Sequence, residues 1–167
     1  MSPIAAGLVR CLATGSNGHW VAAGHSSGIL SLLDLRTGML VCSWKGHEGE
    51  VLQMNASTSA TSGCQQLISS SLDQSVSVWS ADDGKLRHSV RSCGEPVHCL
   101  ALAGGELVTA TTANRIGVHT SLTPSAAFVS TRLRSDTFKG VLTAVALAPM
   151  NRTIILGSDS GMVSLFC

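Results

Sequence analysis

Tyrosine is absent from the 167 residues, and phenylalanine and tryptophan supply the whole aromatic content of 4%. Single-stranded nucleic acid is gripped by stacking on aromatic rings, and this chain has few to offer. Charge is scarce as well: Asp, Glu, Lys and Arg make up 13% of residues, and the formal net charge is +1. Binders of DNA and RNA concentrate Lys and Arg on one face, so nucleic acid is excluded from the expected partners. No apolar run reaches the roughly 18 residues that a membrane-spanning helix requires, and no transmembrane segment is expected. The opening Met1-Ser2-Pro3-Ile4-Ala5-Ala6 has no basic stretch, and Gly7, Arg10 and Gly15 interrupt the apolar residues behind it. That is not the pattern of a secretory signal, and a cytoplasmic location is the expectation.

Paired cysteine motifs are missing too. Cys11, Cys42, Cys64, Cys93, Cys99 and Cys167 contain no CxxC pair, and without export an even count does not imply disulfides. Most of them occupy apolar strand positions, where a free thiol behaves as a small hydrophobe. His88, Cys93, His98 and Cys99 cluster in the sequence, but zinc ligand sets show tighter paired spacings. No metal and no cofactor are expected. Asn55-Ala56-Ser57 and Asn151-Arg152-Thr153 match the glycosylation sequon, and outside the secretory path both are chance matches.

Apolar residues are plentiful at 44%, enough for a core, and their arrangement carries the information. Between Gly46 and Trp79, short alternating segments are separated by Gly, Ser, Thr and Asp. That pattern reads as a meander of half-buried antiparallel strands. If Leu67–Ser70 and Val76–Trp79 pair across a turn at Asp73, the carboxylate can reach the imidazole of His47, arriving from the loop before the first strand. Ser69 would then bond the other ring nitrogen, and the Trp79 indole would donate to the Ser69 hydroxyl. Such bonds contribute about 0.5–1.5 kcal/mol each, and more where a charge takes part.

Gly46-His47 followed 32 residues later by Trp79 resembles the Gly-His…Trp-Asp signature of the WD-repeat β-propellers. The resemblance implies an all-β propeller and a structural network of His47, Ser69, Asp73 and Trp79. Ser80 departs from it, standing where the family has the Asp of its dipeptide. Ser, His and Asp together also invite a hydrolase reading with His47, Ser69 and Asp73. A nucleophilic serine needs an exposed, sharply turned position beside an oxyanion hole, whereas Ser69 falls inside an apolar strand. Paired carboxylates, a ligand set of recognised spacing and a phosphate-cradling glycine loop are all missing, so no enzyme is expected.

Related units follow in register. The turns before each third strand, Ser26-Ser27-Gly28, Asp73-Gln74-Ser75, Ala113-Asn114-Arg115 and Asp159-Ser160-Gly161, have last residues spaced by 47, 40 and 46, close to the roughly 40–45 of propeller blades. Four blades of four antiparallel strands are expected, at about 7–45, 46–91, 92–135 and 136–167. Leu33 replaces the motif Trp in the first blade, and His119 replaces it in the third, where Ala113 stands for the turn Asp. Asn55–Gln65 reads as a long surface loop and Phe128–Leu133 as the third blade's outer strand. The fourth blade runs out of sequence after its third strand, so the chain is read as part of a larger propeller.

A rigid scaffold carrying variable loops suits protein recognition, and the expected role is a non-enzymatic interaction scaffold. Candidate partner contacts are Arg36, Lys45, Glu48, Glu50, Arg91, Glu95, Arg115, Arg132 and Arg134. The expected partners are other proteins, or further blades of the parent chain. Gly140–Pro149 and Leu156–Gly161 are also similar to the end of WD-repeat proteins that carry a BEACH domain. That resemblance implies peripheral association with the cytosolic face of endosomes, in membrane trafficking and autophagy. The alternative is a phosphoinositide-binding propeller. Arg132-Leu133-Arg134 lacks the paired arginines and glycine of that motif and puts both arginines on one face of a strand.

Overall fold

The computed structural model describes residues 7–16, 18–58, 63–92, 94–103, 106–119, 128–134, 138–148 and 153–166. Cys93, Cys167 and residues Asn151 and Arg152 of the second sequon lie outside the described residues. Among those described there is no helix, and the strands form four antiparallel sheets, each a meander in which consecutive strands pair.

The first sheet holds β1 (Val9–Thr14), β2 (Trp20–His25), β3 (Ile29–Asp34) and β4 (Met39–Lys45). The second holds β5 (Val51–Thr58), β6 (Gln65–Ser71), β7 (Ser75–Ser80) and β8 (Leu86–Arg91). The third holds β9 (Val97–Ala103), β10 (Glu106–Thr111), β11 (Arg115–His119) and β12 (Thr131–Arg132). The fourth has three strands, β13 (Leu142–Ala148), β14 (Thr153–Ser158) and β15 (Val163–Phe166).

Strand residues alternate between two faces; the second and third sheets bury both against their neighbours, and the first and fourth bury one. Leu30, Leu32, Ala22 and Ala13 of the first sheet meet Val51, Met54, Leu67 and Trp79 of the second. Ile68, Val76 and Val78, on the opposite face of the second, meet Val97, Leu100 and Leu107. Cys99 and Ala110 meet Leu142, Leu156 and Phe138 in the same way. Leu30, Leu67, Leu100, Leu107 and Leu156 are fully buried, worth about 1.5–3 kcal/mol each. The leading strands pack in sequence, β1 on β5, β5 on β9 and β9 on β13, and among the described residues β1 has no comparable packing on β13. The stack is open at both ends, where Leu12 is 62% and Leu165 67% exposed.

A side chain clips the second and third sheets together. Gln53 Oε1 accepts from Leu100 N at 2.7 Å and its Nε2 donates to Leu100 O at 3.1 Å, which Asn55 Nδ2 also reaches at 2.9 Å. Gln53→Ala leaves the buried Leu100 N–H unmatched. A loss of about 1–3 kcal/mol is expected, read as a lower urea midpoint with unchanged slope.

Two expected elements differ. β5 runs to Thr58, so Asn55–Thr58 is strand and the connection to β6 is shorter than the run of small polar residues suggests. The third sheet's outer strand shrinks from Phe128–Leu133 to Thr131–Arg132, because Phe128 turns into the core and Leu133 already belongs to the next connection.

The turn bonds also correct the alignment of the units. Gly28 N to His25 O, Gln74 N to Ser71 O, Asn114 N to Thr111 O and Gly161 N to Ser158 O are equivalent, and the four donors share a left-handed backbone, φ 80°, 70°, 58° and 79°. Asp73 is therefore matched by Ser27, Ala113 and Ser160, and not by Asp159.

Candidate functional site

His47 lies in the connection between β4 and β5, four residues before Val51, and is 2% exposed. Its place is set from the first sheet, since Gly28 O accepts both Gly46 N and His47 N. Ser69 and Trp79 stand on the face of β6 and β7 that meets the imidazole. Ser69 Oγ is 2.7 Å from His47 Nε2 and receives the Trp79 indole N–H at 2.8 Å. On the other side, His47 Nδ1 is 2.8 Å from Ser75 Oγ and 3.3 Å from Asp73 Oδ2. Asp73 Oδ1 accepts from Ser75 N at 2.9 Å and Ser75 Oγ at 2.5 Å, while Oδ2 accepts from Glu48 N at 2.9 Å.

With the imidazole neutral, these bonds set the direction of each proton. Asp73, ionised, only accepts, so Ser75 Oγ–H points to it and must accept from His47 Nδ1–H. Nε2 is then the ring's acceptor, Ser69 Oγ–H points to it, and Trp79 donates to Ser69. The chain runs one way from indole to carboxylate. Burial accordingly pushes the His47 pKa down, against the opposing pull of Asp73. Burial alone would raise the Asp73 pKa, but the bonds from Ser75 and Glu48 N outweigh it and hold the carboxyl below its usual range.

A histidine kept neutral by the fold contributes stability that is complete above its unfolded value, near pH 6.5, and lost as pH falls below it. Burial also lowers His88 and His119, so all three act with the same sign. The urea midpoint is expected to drop between about pH 7 and pH 5, with the imidazole NMR titration of His47 displaced to lower pH.

Chemically, the arrangement braces a loop against a sheet. Ser69 is fully buried, and its oxygen is engaged by both the indole and the imidazole, so an acyl group has no path to it. Ser75, which carries the link from His47 to Asp73, was not among the residues read from the motif; its place two residues after the turn Asp is the signal that points to it.

The other sheets repeat the geometry with different chemistry. Strand register makes Leu107–His119 equivalent to Leu67–Trp79, and Thr109 Oγ1 lies 3.1 Å from His119 Nε2, repeating the Ser69–Trp79 contact. In the fourth sheet, Phe138, Leu156 and Phe166 occupy the places of His47, Ser69 and Trp79 and form part of one apolar cluster. His98 and Cys99 also bond across to the next sheet. His98 Nε2 lies 2.6 Å from Leu142 O, Cys99 Sγ donates to Thr143 O, and burial pushes the Cys11 and Cys99 thiols up to about 11.

Residues 38–80, which contain the whole brace, match the family model described as WD domain, G-beta repeat. The chain carries a WD repeat. Beyond that repeat, the chain is 41% identical over 165 residues, 98% of its length, to WD repeat-containing protein 81 of Danio rerio. It is 26% identical over 168 residues, 96% of its length, to Suppressor of organelle fusion 2 of Caenorhabditis elegans. It spans 8% and 11% of those two proteins. Among solved structures it resembles the computationally designed Ika4 protein, a β-propeller, at a TM-score of 0.72 and 21% identity, over 96% of this chain and 91% of that one. The sheets are blades of a β-propeller.

The candidate contact residues fall into two groups around these blades. Arg36, Lys45, Glu48, Arg91, Arg132 and Arg134 are exposed. Glu50 is ion-paired with Arg10, Glu95 Oε2 accepts from Thr111 Oγ1 at 2.9 Å, and Arg115 is bonded to Ser130 through Nε and Nη2, both at 2.9 Å. Those three are half-buried, and of the exposed six Arg36 pairs with Asp34 at 3.5 Å and Lys45 donates to Ser27 O at 2.9 Å. Arg134 lies beyond β12 in the following connection, so the two arginines of Arg132-Leu133-Arg134 do not share a strand face.

Proposed function

We propose that the chain is a non-enzymatic protein–protein interaction scaffold, the C-terminal part of a larger protein acting in endosomal membrane trafficking and autophagy on the cytosolic face of the membrane. The observation that carries this reading is the similarity along nearly the whole chain to WD repeat-containing protein 81. The name of the nematode relative, which refers to organelle fusion, supports the membrane setting. The blades divide at about 7–45, 46–91, 92–135 and 136–167. The brace of His47, Ser69, Asp73 and Trp79 serves stability, and the exposed charges around Arg36, Glu48, Arg91 and Arg132 serve recognition.

The open ends suit further blades of the parent chain. Val9 and Leu12 stand where blade 2 presents Val51 and Met54 to blade 1, and Val163 and Leu165 stand where blade 2 presents Val76 and Val78 to blade 3. Lengthening the chain with its neighbouring repeats is expected to raise the melting temperature. Leu12→Asp and Leu165→Asp are expected to cost several degrees in the longer chain and almost nothing in this one. Equal effects in both would remove the proposal of missing neighbours.

For the scaffold reading, proximity labelling in cells with the longer chain tests the setting. Enrichment of endosomal proteins that is reduced by Arg36→Gln and Arg91→Gln is expected; labelling indistinguishable from an unrelated propeller would refute it. Direct phosphoinositide binding is the second reading, motivated by the cations at Arg132 and Arg134.

A further inference from the structure

Each of the three four-stranded sheets ends in an outer strand whose far edge has no neighbouring strand among the described residues. Along such an edge a row of main-chain N–H and C=O groups is left over, spaced to match another strand. Proteins ordinarily guard these rows with charge or by keeping the strand short. β12 is two residues long and contains Arg132. β8 carries Arg87 and Arg91 and follows directly on Lys85. β4 has neither protection: it is seven residues long and has no charge before Lys45.

Strand register makes the contrast residue by residue. Leu40 pairs with Leu33 as Leu86 pairs with Trp79, and the register shifts one residue later in both sheets. Val41 therefore stands in the place of Arg87, and Met39 in that of Lys85. Two charges that guard blade 2 are apolar in blade 1, and Met39, Leu40 and Val41 are all exposed. Leu40 is 57% exposed, and its counterpart Leu86 is still 53% exposed although it shares with Trp79 the face that blade 1 covers. A neighbouring blade does not cover this position, so the bare edge of β4 is not a result of the open end of the stack.

We propose that β4 accepts an extended segment of a protein partner as a fifth strand, with apolar side chains laid over Met39 and Leu40 and a basic residue beside the turn at Asp82. This role rests on the interaction-scaffold reading and specifies the shape and charge of one partner. Main-chain groups in a row are satisfied by another strand, and side chains on alternate positions then select its sequence. Met39 and Leu40 stand on opposite faces, paired with Asp34 and Leu33, so a flexible segment can cover both. The basic residue answers the blade 2 turn Ala81–Gly84, which lies beside β4: a β-carbon on Gly84 would sit 3.1 Å from the Trp44 ring. In that turn Asp83 is paired with Lys85 at 3.1 Å, whereas Asp82 is exposed and takes part in no ion pair among the described residues. A second copy of the chain fits less well. Seven residues at about 3.3 Å each make a ribbon one strand wide, a small part of the roughly 800 Å² per partner that holds two globular proteins together.

The probe is a soluble peptide with a core of alternating valine and threonine as long as β4 and a lysine at each end. Titrated into the chain lengthened with its neighbouring repeats, it is expected to bind saturably and to slow amide hydrogen exchange in β4. A proline at the centre of the peptide, which removes a ladder donor, should abolish both effects. Met39→Lys combined with Val41→Arg is expected to weaken binding about tenfold or more, because it sets charges into an apolar contact. The urea midpoint should not move, since blade 2 folds with those residues at those places. Asp82→Asn should weaken binding less, by an amount that disappears at high salt. Binding unchanged by the double variant, equal binding of the proline peptide, or a peptide-free dimer that the double variant abolishes would each overturn the proposal, the last by making a second copy the occupant. Cellular partners labelled equally by the wild type and the double variant would leave the scaffold reading standing while removing this one.

Discussion

His47→Ala is expected to lower the unfolding free energy by about 3 kcal/mol, because it strips partners from buried groups on both sides of the ring. Ser69 Oγ–H loses its acceptor at zero exposure, Ser75 loses its donor, and the imidazole leaves a cavity beside Trp79, whose ring centroid lies 6.0 Å from its own. The measurement is urea unfolding followed by Trp fluorescence. A companion series separates the polar brace from simple filling. Phe138, Leu156 and Phe166 show that an all-apolar version fits the same geometry. His47→Phe alone should cost nearly as much as His47→Ala, since Ser69 and the Trp79 indole stay buried. His47→Phe combined with Ser69→Leu and Trp79→Phe should recover much of the loss, because removing both members of a buried polar pair is far less costly than removing one. A triple variant no more stable than the single one would show that the loop needs the polar link itself.

Gly28→Ala is expected to be at least as damaging. A β-carbon at Gly28 would sit 2.1 Å from the carbonyl oxygen of His47 and 2.7 Å from that of Gly49, in a backbone at φ +80°. The left-handed conformation alone costs a non-glycine residue about 1–2 kcal/mol, and relieving the clash must push the braced loop off the first blade. Gly18 and Gly38 provide the control: both have positive φ, 68° and 67°, and nothing within 4 Å of a built β-carbon. Their alanine variants should show only the conformational cost. If Gly28→Ala unfolds at the same urea concentration as Gly38→Ala, the loop is not held against blade 1 as tightly as described.

The strands were legible in the sequence because period-two alternation and Gly, Ser and Asp turns leave little choice of element. The brace was legible for a different reason: His47, Ser69, Asp73 and Trp79 are chemically distinctive at distinctive spacings, and the distances put them in one hydrogen-bonded chain. Where a position lost its polar residue, the signal went with it. Phe138, Leu156 and Phe166 read as ordinary strand and loop residues, and only the pairing of Leu142 with Ser158 reveals that they stand in the brace's place. The turn alignment slipped by one residue because Gln74 and Asn114 adopt the backbone that glycine adopts at Gly28 and Gly161.

Packing that runs in one line, β1 to β5 to β9 to β13, has a consequence for how the molecule comes apart. Each blade has at most two supports, so the terminal ones have a single support and should fray first, the three-stranded fourth blade ahead of the rest. Amide deuterium uptake should sweep inward from both extremities and reach Ser69 last, making the second blade the residual kernel from which refolding restarts.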